Sequence, residues 1–446
     1  MLDWLSKNIF FPLWEIKDGS HRLKYLKELS ASQWWSPEAL RQQQWQRLCK
    51  IVKYAYDHCP YYRTCYDNLG FDGILRNWED FRRLPLLTKR DIRDNTSHLL
   101  SSEFNRLDLV ESKTGGSTGT ALVIYCDKRC QELRNAAEMR SHYWGGREMG
   151  AKFAAIWGNP PIADTFKKKI RNLLLDRVIY LDTMNIDEKS VCSFVDRCRQ
   201  EKPKVIFGHA HSIYILAIYL RKMSIEKFSL KGIITTSMML LEAERQVIED
   251  VFSCQVTNLY GCEEVGLIAC ECEQHKGLHL NTDHLIVEFL KEDGTEALPG
   301  EESNIIVTDL INHGMPFIRY RIEDTGIFSD QLCSCGRGLP IMERIAGRQA
   351  DFLKRPDGSL VAGVSLVERT LTSIPGIEQM QLIQSQLDLI QVKIVKDKNF
   401  TRECEIRLKE ELCNVFGQKV VIEISYVLGL DKTVQGKYRF AVCNIT

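Results

Sequence analysis

A short segment rich in glycine and hydroxyl side chains is a candidate phosphate-binding loop. It reads Ser112-Lys113-Thr114-Gly115-Gly116-Ser117-Thr118-Gly119-Thr120. Glycines let backbone N–H groups approach an anion closely, and the hydroxyls of serine and threonine add donors to phosphate oxygens. The segment has neither the G-x-x-x-x-G-K-[ST] pattern of P-loop sites nor the G-x-G-x-x-G pattern of dinucleotide sites. A hairpin or surface connection is the competing interpretation, because the same residue types favour turns.

A second group of residues has the chemistry of metal ligands. Cysteines and histidines are concentrated in two segments, Cys270-Glu271-Cys272-Glu273-Gln274-His275-Lys276-Gly277-Leu278-His279 and Cys333-Ser334-Cys335. Thiolate sulfur and imidazole nitrogen are the ligands of tetrahedral structural Zn²⁺. The predicted ligands of a structural zinc are Cys272, His279, Cys333 and Cys335, and the alternative ligands are Cys270 and His275. Free thiols without a metal are the other interpretation.

The composition is that of an ordinary globular protein. The chain has 446 residues with 59 Lys plus Arg against 59 Asp plus Glu, and this balance argues against a nucleic-acid partner. Its length predicts two or three domains. The first residues lack the pattern of a secretory signal, so the 16 cysteines are expected to be reduced thiols or metal ligands in a cytoplasmic protein.

The elements that must position these residues fall into three regions. Ser36 followed by Pro37 predicts a helix start within a helical first hundred residues. From Leu107 onward, short apolar runs alternate with helical stretches, which predicts an α/β domain with largely parallel strands. Strands without long helices follow between residues 278 and 330, and the last hundred residues read as a small unit of their own.

The first fourteen residues are rich in apolar and aromatic side chains. They include Trp4, Leu13 and Trp14, and Pro12 is expected to interrupt any continuous helix there. We predict that this segment packs onto the main domain and that the chain has no stable membrane insertion. Peripheral membrane attachment is the alternative.

Further motifs follow the glycine-rich loop in a fixed order. They are Asn258-Leu259-Tyr260-Gly261-Cys262-Glu263-Glu264, Arg319-Tyr320-Arg321-Ile322-Glu323-Asp324-Thr325-Gly326, Arg344-Ile345-Ala346-Gly347-Arg348-Gln349-Ala350-Asp351 and Gln435-Gly436-Lys437-Tyr438-Arg439. Together they resemble the core motifs of the adenylate-forming superfamily. The closer resemblance is to the phenylacetate–coenzyme A ligase family, including its branch associated with capsule and polysaccharide biosynthesis, and it covers the chain from about Tyr61 onward.

This resemblance implies an architecture and a reaction. The expected adenylate-forming synthetase fold has a large N-terminal α/β domain at residues 1–346, with its β-rich part at about 278–330, and a small mobile C-terminal α+β domain at 347–446. The implied function is activation of a small carboxylic acid by ATP and Mg²⁺ through an acyl-adenylate, with transfer to coenzyme A. Transfer to an amine, or a catalytically impaired scaffold, are the alternatives. A monomer or homodimer is expected.

The resemblance also assigns roles to residues that bind ATP. Residues Thr114 to Thr120 would hold the β- and γ-phosphates. Tyr260, followed by Gly261, would stack on adenine, and Glu264 would ligate Mg²⁺. Asp324 would accept hydrogen bonds from the ribose hydroxyls.

The remaining assigned roles belong to the end of the large domain and the C-terminal tail. Arg344 and Arg348 would contact ribose or phosphate near the domain junction, and Asp351 would be the hinge about which the small domain rotates. Lys437 would reach the acyl carboxylate and the α-phosphate, where its charge stabilises the developing anion. Cys262 is expected to be a packing or pocket-lining residue and not a nucleophile.

Two positions depart from the family pattern. Glu263 stands where the family has Thr or Ser, so two adjacent carboxylates would face a triphosphate unless Glu263 points away or nucleotide handling is altered. An acidic residue is expected by resemblance near Met238, and it is missing. These departures motivate the scaffold hypothesis.

Overall fold

The structure is a computed structural model of the chain. It describes residues 2–113, 122–158, 165–183, 186–225, 229–346, 352–430 and 441–445. None of the 16 cysteines, all of which lie in these ranges, forms a disulfide.

The first hundred residues are helical, as predicted. The helices are α1 (Leu2–Leu5), α2 (Phe11–Lys17), α3 (Arg22–Ser32), α4 (Pro37–His58), α5 (Pro60–Asn68), α6 (Trp78–Arg83), α7 (Lys89–Asp94) and α8 (Thr96–Leu99). The predicted start of α4 is confirmed, because the Ser36 side chain accepts a hydrogen bond from the backbone N–H of Ala39 and Pro37 is the first helical residue.

The prediction that Pro12 interrupts the N-terminal helix is wrong. A π-helical segment, Ser6–Phe10, joins α1 to α2, so the chain is helical from Leu2 to Lys17. The backbone N–H of Phe11 donates to the carbonyl of Ser6, five residues earlier. The wider π turn shifts the carbonyl groups that accept hydrogen bonds just before Pro12. Pro12 itself has no backbone N–H to donate, and it lies at the start of α2.

A short hairpin and a long helix lead into the α/β core. Strands β1 (Val110–Lys113) and β2 (Val123–Cys126) pair antiparallel, and the pairing of Lys113 with Val123 brings the two ends of the glycine-rich loop together. A 3₁₀ turn, Arg106–Asp108, precedes them. Helix α9 (Lys128–Trp144) follows, capped by the Asp127 side chain, which accepts from the Cys130 N–H at 2.9 Å.

The core alternates strands and helices as the sequence predicts. Its elements are β3 (Phe153–Trp157), α10 (Phe166–Arg171), a π-helical segment Asn172–Asp176, β4 (Val178–Asp182), α11 (Glu188–Glu201), β5 (Val205–His209), α12 (Ala210–Lys222), β6 (Gly232–Thr236), α13 (Glu242–Phe252) and β7 (Val256–Cys262). The strands are runs of buried residues, which is typical of a parallel sheet covered on both faces.

A β-rich part continues the same sheet. Its strands are β8 (Gly266–Glu271), β9 (Leu278–Leu280), β10 (Leu285–Leu290), β11 (Glu302–Asp309), β12 (Tyr320–Ser329) and β13 (Ile341–Ile345). The order across the eleven strands is β10-β11-β12-β13-β9-β8-β7-β6-β5-β3-β4. Pairing is parallel from β4 to β7 and antiparallel from β7 to β10. The sheet therefore changes from parallel to antiparallel pairing at the β7–β8 junction.

The C-terminal region has a sheet of its own. Its elements are the hairpin β14 (Phe352–Lys354) and β15 (Leu360–Ala362), α14 (Gly363–Ser373), β16 (Ile377–Gln386), β17 (Leu389–Lys396), α15 (Arg402–Phe416), β18 (Val421–Tyr426) and β19 (Ala441–Cys443). The four-stranded order is β18-β17-β16-β19. The predicted boundary at 346/347 falls beside residues outside the described ranges and stays a prediction.

This C-terminal region docks on α12. The ring of Phe352 lies 4.5 Å from the ring of His211 and 5.5 Å from that of Tyr214. A guanidinium N–H of Arg369 donates to the carbonyl of Gly158 at 3.2 Å. Among the described residues, the contact therefore combines ring packing with a hydrogen bond to the loop after β3.

A buried ion pair fastens α9 to the β-rich part. Arg140 is 1% exposed and donates to Asp283 at 2.6 Å and to Asn281 at 2.5 Å. Burial alone would raise the pKa of Asp283, but the Arg140 charge and the Ser32 hydroxyl outweigh burial and leave that pKa lowered. Because breaking a buried pair leaves a charge uncompensated, Arg140 fixes the position of α9 against the sheet.

Candidate functional site

The Tyr260-to-Glu264 motif forms the junction at which the sheet changes from parallel to antiparallel. Tyr260, Gly261 and Cys262 end β7, and the chain turns at Glu263 to Val265 into β8. A Cβ atom on Gly261 would lie 2.6 Å from the carbonyl oxygen of Gly266, so only glycine fits this close approach. In α/β sheets, ligands bind outside the carboxyl ends of parallel strands, and the motif lies at such an end.

Two motifs far apart in the sequence meet through a tyrosine and an aspartate. The Tyr260 hydroxyl donates to Asp324 Oδ2 at 2.9 Å, across 64 residues of chain. Both side chains are buried. The residues that the resemblance assigns to adenine and to ribose are therefore neighbours, held by β7 and β12.

A second tyrosine positions the carboxylate assigned to magnesium. Glu264 is 5% exposed, and its Oε1 accepts a hydrogen bond from the Tyr320 hydroxyl at 2.8 Å. The turn that carries Glu264 is fixed from α9, because Arg134 donates to the Glu264 carbonyl at 2.7 Å and to Asp309 at 2.6 Å. Burial, together with the negative charge of Glu264, raises the pKa of Tyr320, so this hydroxyl remains a donor.

The two adjacent glutamates have different surroundings. Glu263 is exposed, whereas Glu264 is buried beside Tyr320. The two carboxylates therefore do not share one pocket. Burial raises the pKa of Glu138 on α9; the charges of Arg147 and Arg22 oppose this shift, and the charge of Glu263 adds to it.

Cys262 lacks the ionisation of a nucleophile. Its pKa is raised well above the ordinary value, first by burial and then by the neighbouring Glu264 carboxylate. A thiolate is the reactive form of cysteine, and both causes disfavour it here. The environment agrees with the prediction of a packing residue.

The four predicted metal ligands come together at the far end of β8. Their ligand atoms all lie within 4.8 Å of one another, and the residues are Cys272, His279, Cys333 and Cys335. Cys272 Sγ lies 3.7 Å from Cys333 Sγ, and Cys335 Sγ lies 3.3 Å from His279 Nε2. Three thiols and one imidazole in this arrangement match the donor set of a closed tetrahedral zinc site.

The surroundings of this cluster orient its ligands. His279 Nδ1 lies 3.0 Å from the carbonyl oxygen of Leu339, which leaves Nε2 facing the cysteines. The backbone N–H of Gln274 donates to Cys272 Sγ at 3.4 Å, and that of Arg337 donates to Cys335 Sγ at 3.5 Å. Hydrogen bonds from backbone N–H groups to sulfur stabilise thiolates, and a bond to the second imidazole nitrogen fixes the tautomer.

The alternative ligands lie elsewhere. Cys270 is fully buried, with its sulfur directed at the Ser141 carbonyl 3.8 Å away. His275 Nδ1 lies 3.4 Å from the Glu271 carboxylate. Cys270 lies within β8, whereas Cys272 follows Glu271, the last residue of that strand.

Comparison with known proteins identifies relatives of this chain. Residues 353–444 match the family model of the CapK C-terminal domain. The chain is similar to protein CapK of Staphylococcus aureus, at 25% identity over 90% of this chain and 88% of that protein. It is also similar to phenylacetate-coenzyme A ligase of Thermus thermophilus, at 26% identity over 82% of this chain and 83% of that enzyme.

A solved structure decides the architecture. The crystal structure of 2-hydroxyisobutyryl-CoA ligase with 2-HIB-AMP and CoA, in its thioesterification state, superposes with a TM-score of 0.61 at 17% identity, covering 92% of this chain and 90% of the other. The chain has the adenylate-forming synthetase fold. The fold class expected from the ordered motifs is thereby confirmed, and so is the resemblance to CapK and the phenylacetate–coenzyme A ligases.

Part of the site expected for an adenylate-forming synthetase falls outside the described residues. This holds for the loop from Thr114 to Thr120 and for Arg348, Asp351 and Lys437. Arg344 is described; it is exposed on β13, where it pairs with Ile327 of β12. In the sheet, the strand that carries Arg344 lies between β12 and β9, in the β-rich part.

Tyr320 and Arg134 are the positioning residues that sequence reasoning missed. A signal for Tyr320 was present, because Tyr320, Ile322 and Asp324 alternate along β12 and are all buried on one face. Arg134 had no comparable signal, since it reaches Glu264 from a helix 130 residues away.

Two histidines at the junction of β5 and α12, His209 and His211, are neutral packing groups. Burial lowers the pKa of both His209 and His211 to about 4. The His209 ring lies 4.0 Å from the Trp157 ring, and His211 packs on Phe352. This agrees with assigning them no catalytic role.

An acidic residue was expected near Met238. Met238 belongs instead to an apolar cluster that also contains residues of the C-terminal region. It is buried in the same cluster as Ala210, Leu353 and Val361. The substitution of Met for an acid is therefore compatible with docking of the C-terminal hairpin.

Replacing Met238 by glutamate is expected to loosen this docking, because an unpaired carboxylate would enter an apolar contact at a cost of about 2 kcal/mol or more. Limited proteolysis should then cut the C-terminal region away faster than in the wild type. Leu241→Glu is the control, since Leu241 is exposed in the same loop. Equal cleavage rates in Met238→Glu and wild type would contradict the role of Met238 in docking.

Proposed function

We propose that the chain activates a carboxylic acid with ATP and transfers the acyl group to coenzyme A. The observation that carries the proposal is the pair of buried contacts at the β7–β8 junction, Tyr260–Asp324 and Glu264–Tyr320, at the ligand-binding edge of an adenylate-forming synthetase fold. Relatives named phenylacetate-coenzyme A ligase, and a structural neighbour solved with an acyl-AMP and CoA, support it.

In the first step a carboxylate oxygen of the acid attacks the α-phosphorus of ATP. The bond from that phosphorus to the bridging oxygen breaks, and pyrophosphate leaves. Tyr260 would stack against adenine while its hydroxyl holds Asp324, and a carboxylate has enough acceptor positions to bind ribose hydroxyls as well. Lys437, by resemblance, would stabilise the charge that develops on the α-phosphate.

Glu264 is suited to the metal that accompanies ATP. Mg²⁺ takes oxygen ligands and neutralises phosphate charge during phosphoryl chemistry. The Glu264 carboxylate is held by Tyr320 and by the Arg134 contact to its backbone, so its position is set before the nucleotide binds. Such preorganisation lowers the cost of reorganisation at the moment of reaction.

In the second step the sulfur of coenzyme A attacks the acyl carbon of the adenylate. The bond from that carbon to the AMP oxygen breaks, AMP leaves, and the thiol proton is released to solvent. No protein nucleophile is required, which agrees with the raised pKa of Cys262. The C-terminal region would rotate about Asp351 between the two steps.

We also propose that Cys272, His279, Cys333 and Cys335 bind one structural zinc ion. The four ligand atoms fill a tetrahedral set, so the site leaves no open position for chemistry. Its role would be to hold the end of β8 and the turn before β13 in register.

The test of the proposed function is ATP–pyrophosphate exchange with aryl, fatty, amino and uronic acids. Acid-dependent exchange is expected with at least one class, followed by thioester formation when coenzyme A is added. An amide formed with an amine acceptor in place of a thioester would favour the alternative ligase. Absence of exchange, together with absence of ATP binding by calorimetry, would favour the scaffold.

A further inference from the structure

The N-terminal helical segment exposes several large apolar side chains and buries two polar ones. Trp4 is 62% exposed, Leu13 59% and Ile16 76%, whereas Ser6 and Glu15 are buried against the body of the protein. This arrangement is the reverse of a helix that packs onto a domain. The segment lies against the main domain, as predicted, but the side chains of Trp4 and Leu13 do not pack there.

Polar contacts hold the segment in this orientation. The Glu15 carboxylate accepts hydrogen bonds from Arg22 and, at 2.7 Å, from the Ser20 hydroxyl. Asp3 pairs with the buried guanidinium of Arg177 at 2.5 Å. These ion pairs fix the segment against the body of the protein while Trp4, Leu13 and Ile16 remain exposed.

A second helical segment adjoins the first. Residues 166–176 lie against the N-terminal segment, since the Arg171 guanidinium is 4.9 Å from the Trp14 ring and Arg177 follows directly on. In this segment Phe166 is 79% exposed and Leu173 is 53% exposed. We call the exposed apolar side chains of the two adjoining segments, Trp4, Leu13, Ile16, Phe166 and Leu173, the N-terminal apolar face.

Basic side chains surround this face. The exposed basic residues of the two segments are Lys7, Lys17, Lys167, Lys168, Lys169 and Arg171, and the exposed acidic residue is Asp176. Aromatic and aliphatic side chains interspersed with lysines are the combination that lies in the boundary layer of an anionic bilayer.

We propose that the N-terminal apolar face docks peripherally on anionic lipid membranes. The apolar side chains would enter the layer beneath the headgroups while the lysines contact lipid phosphates. No helix within the described ranges is both long and apolar enough to cross a bilayer, so the contact would be parallel to the surface. A second copy of the chain is a poorer occupant, because a twofold contact would bring the lysines of one copy against those of the other.

Co-sedimentation of the full chain with lipid vesicles tests this docking. Binding is expected to vesicles of phosphatidylcholine with phosphatidylglycerol, with weaker binding to phosphatidylcholine alone and loss of binding at high salt. The triple variant Trp4→Ser, Leu13→Ser, Ile16→Ser is expected to reduce the partition coefficient by about ten-fold or more. Reversing the charge of Lys167, Lys168 and Lys169 should abolish the preference for anionic vesicles.

The matched control removes equally exposed apolar side chains elsewhere. Leu107→Ser, Leu298→Ser, Leu332→Ser changes three residues that are 97%, 63% and 70% exposed. Its vesicle binding should equal that of the wild type, and circular dichroism should show the same fold for all variants. Failure of the wild type to sediment with anionic vesicles would overturn the proposal, as would equal losses in the control. A change in the oligomeric state of the first variant, in the absence of lipid binding, would also overturn the proposal.

Discussion

Replacing Cys333 by serine is expected to remove a bound zinc ion and to lower the free energy of unfolding by about 4 kcal/mol. Cys333 Sγ lies 3.7 Å from Cys272 Sγ in a cluster that joins segments sixty residues apart. Removing one thiolate leaves three ligands, and the zinc-binding energy that stabilises the folded state is largely lost. Elemental analysis should give one zinc per wild-type chain and much less in the variant.

Cys270→Ala is the control for this zinc prediction. Cys270 is two residues from Cys272 and fully buried, but its sulfur contacts the Ser141 carbonyl and is not part of the four-ligand cluster. It should keep full zinc content and lose about 1 kcal/mol from the missing buried sulfur. Wild-type protein free of zinc after expression in zinc-supplemented medium would contradict the assignment, and so would equal zinc loss in both variants.

Glu264→Gln is expected to lower the rate of acid-dependent ATP–pyrophosphate exchange by about 100- to 1000-fold. The amide keeps the shape of the side chain and can still accept from the Tyr320 hydroxyl, but it loses the charge that attracts Mg²⁺. The fold should therefore survive, and the loss should appear in the chemical step and in the affinity for magnesium–ATP. Steady-state exchange kinetics with varied magnesium and ATP measure both.

Two further variants separate charge from position. Tyr320→Phe removes only the hydrogen bond to Glu264, so a loss of about five- to ten-fold is expected, partly in the KM for magnesium–ATP. Glu263→Gln changes the neighbouring exposed carboxylate and should leave exchange at or above the wild-type rate. Similar large losses in Glu263→Gln and Glu264→Gln would argue against a distinct role for Glu264.

Local elements of the fold were predictable because short-range chemistry decides them. The start of α4 depends on Ser36 and Pro37, and that of α7 on the capping pair Thr88 and Asp91, all within four residues of the helix start. The buried parallel strands, such as β3 and β6, were evident as short apolar runs. The N-terminal helix was mispredicted because Pro12 falls in the first turn of α2, where an α-helix tolerates proline.

The site was predictable where residue types have few other uses. Three thiols and a histidine in two short segments suggested a metal, and the choice among six candidates agrees with the cluster in the structure. Contacts between distant strands were not predictable from the residues alone. The Tyr320–Glu264 hydrogen bond depends on the strand order β12-β13-β9-β8, which no local pattern specifies.

The β7–β8 junction has a consequence for synthesis of the chain. Tyr260 and Glu264 obtain their partners, Asp324 and Tyr320, only 56 to 64 residues later. Strands β9 and β13, which lie between β8 and β12 in the sheet, pair with each other across a similar number of residues of chain. A nascent chain on the ribosome therefore carries the first half of the proposed nucleotide site for many residues before the second half emerges. Products of premature termination before β12 would lack both contacts, Tyr260–Asp324 and Glu264–Tyr320.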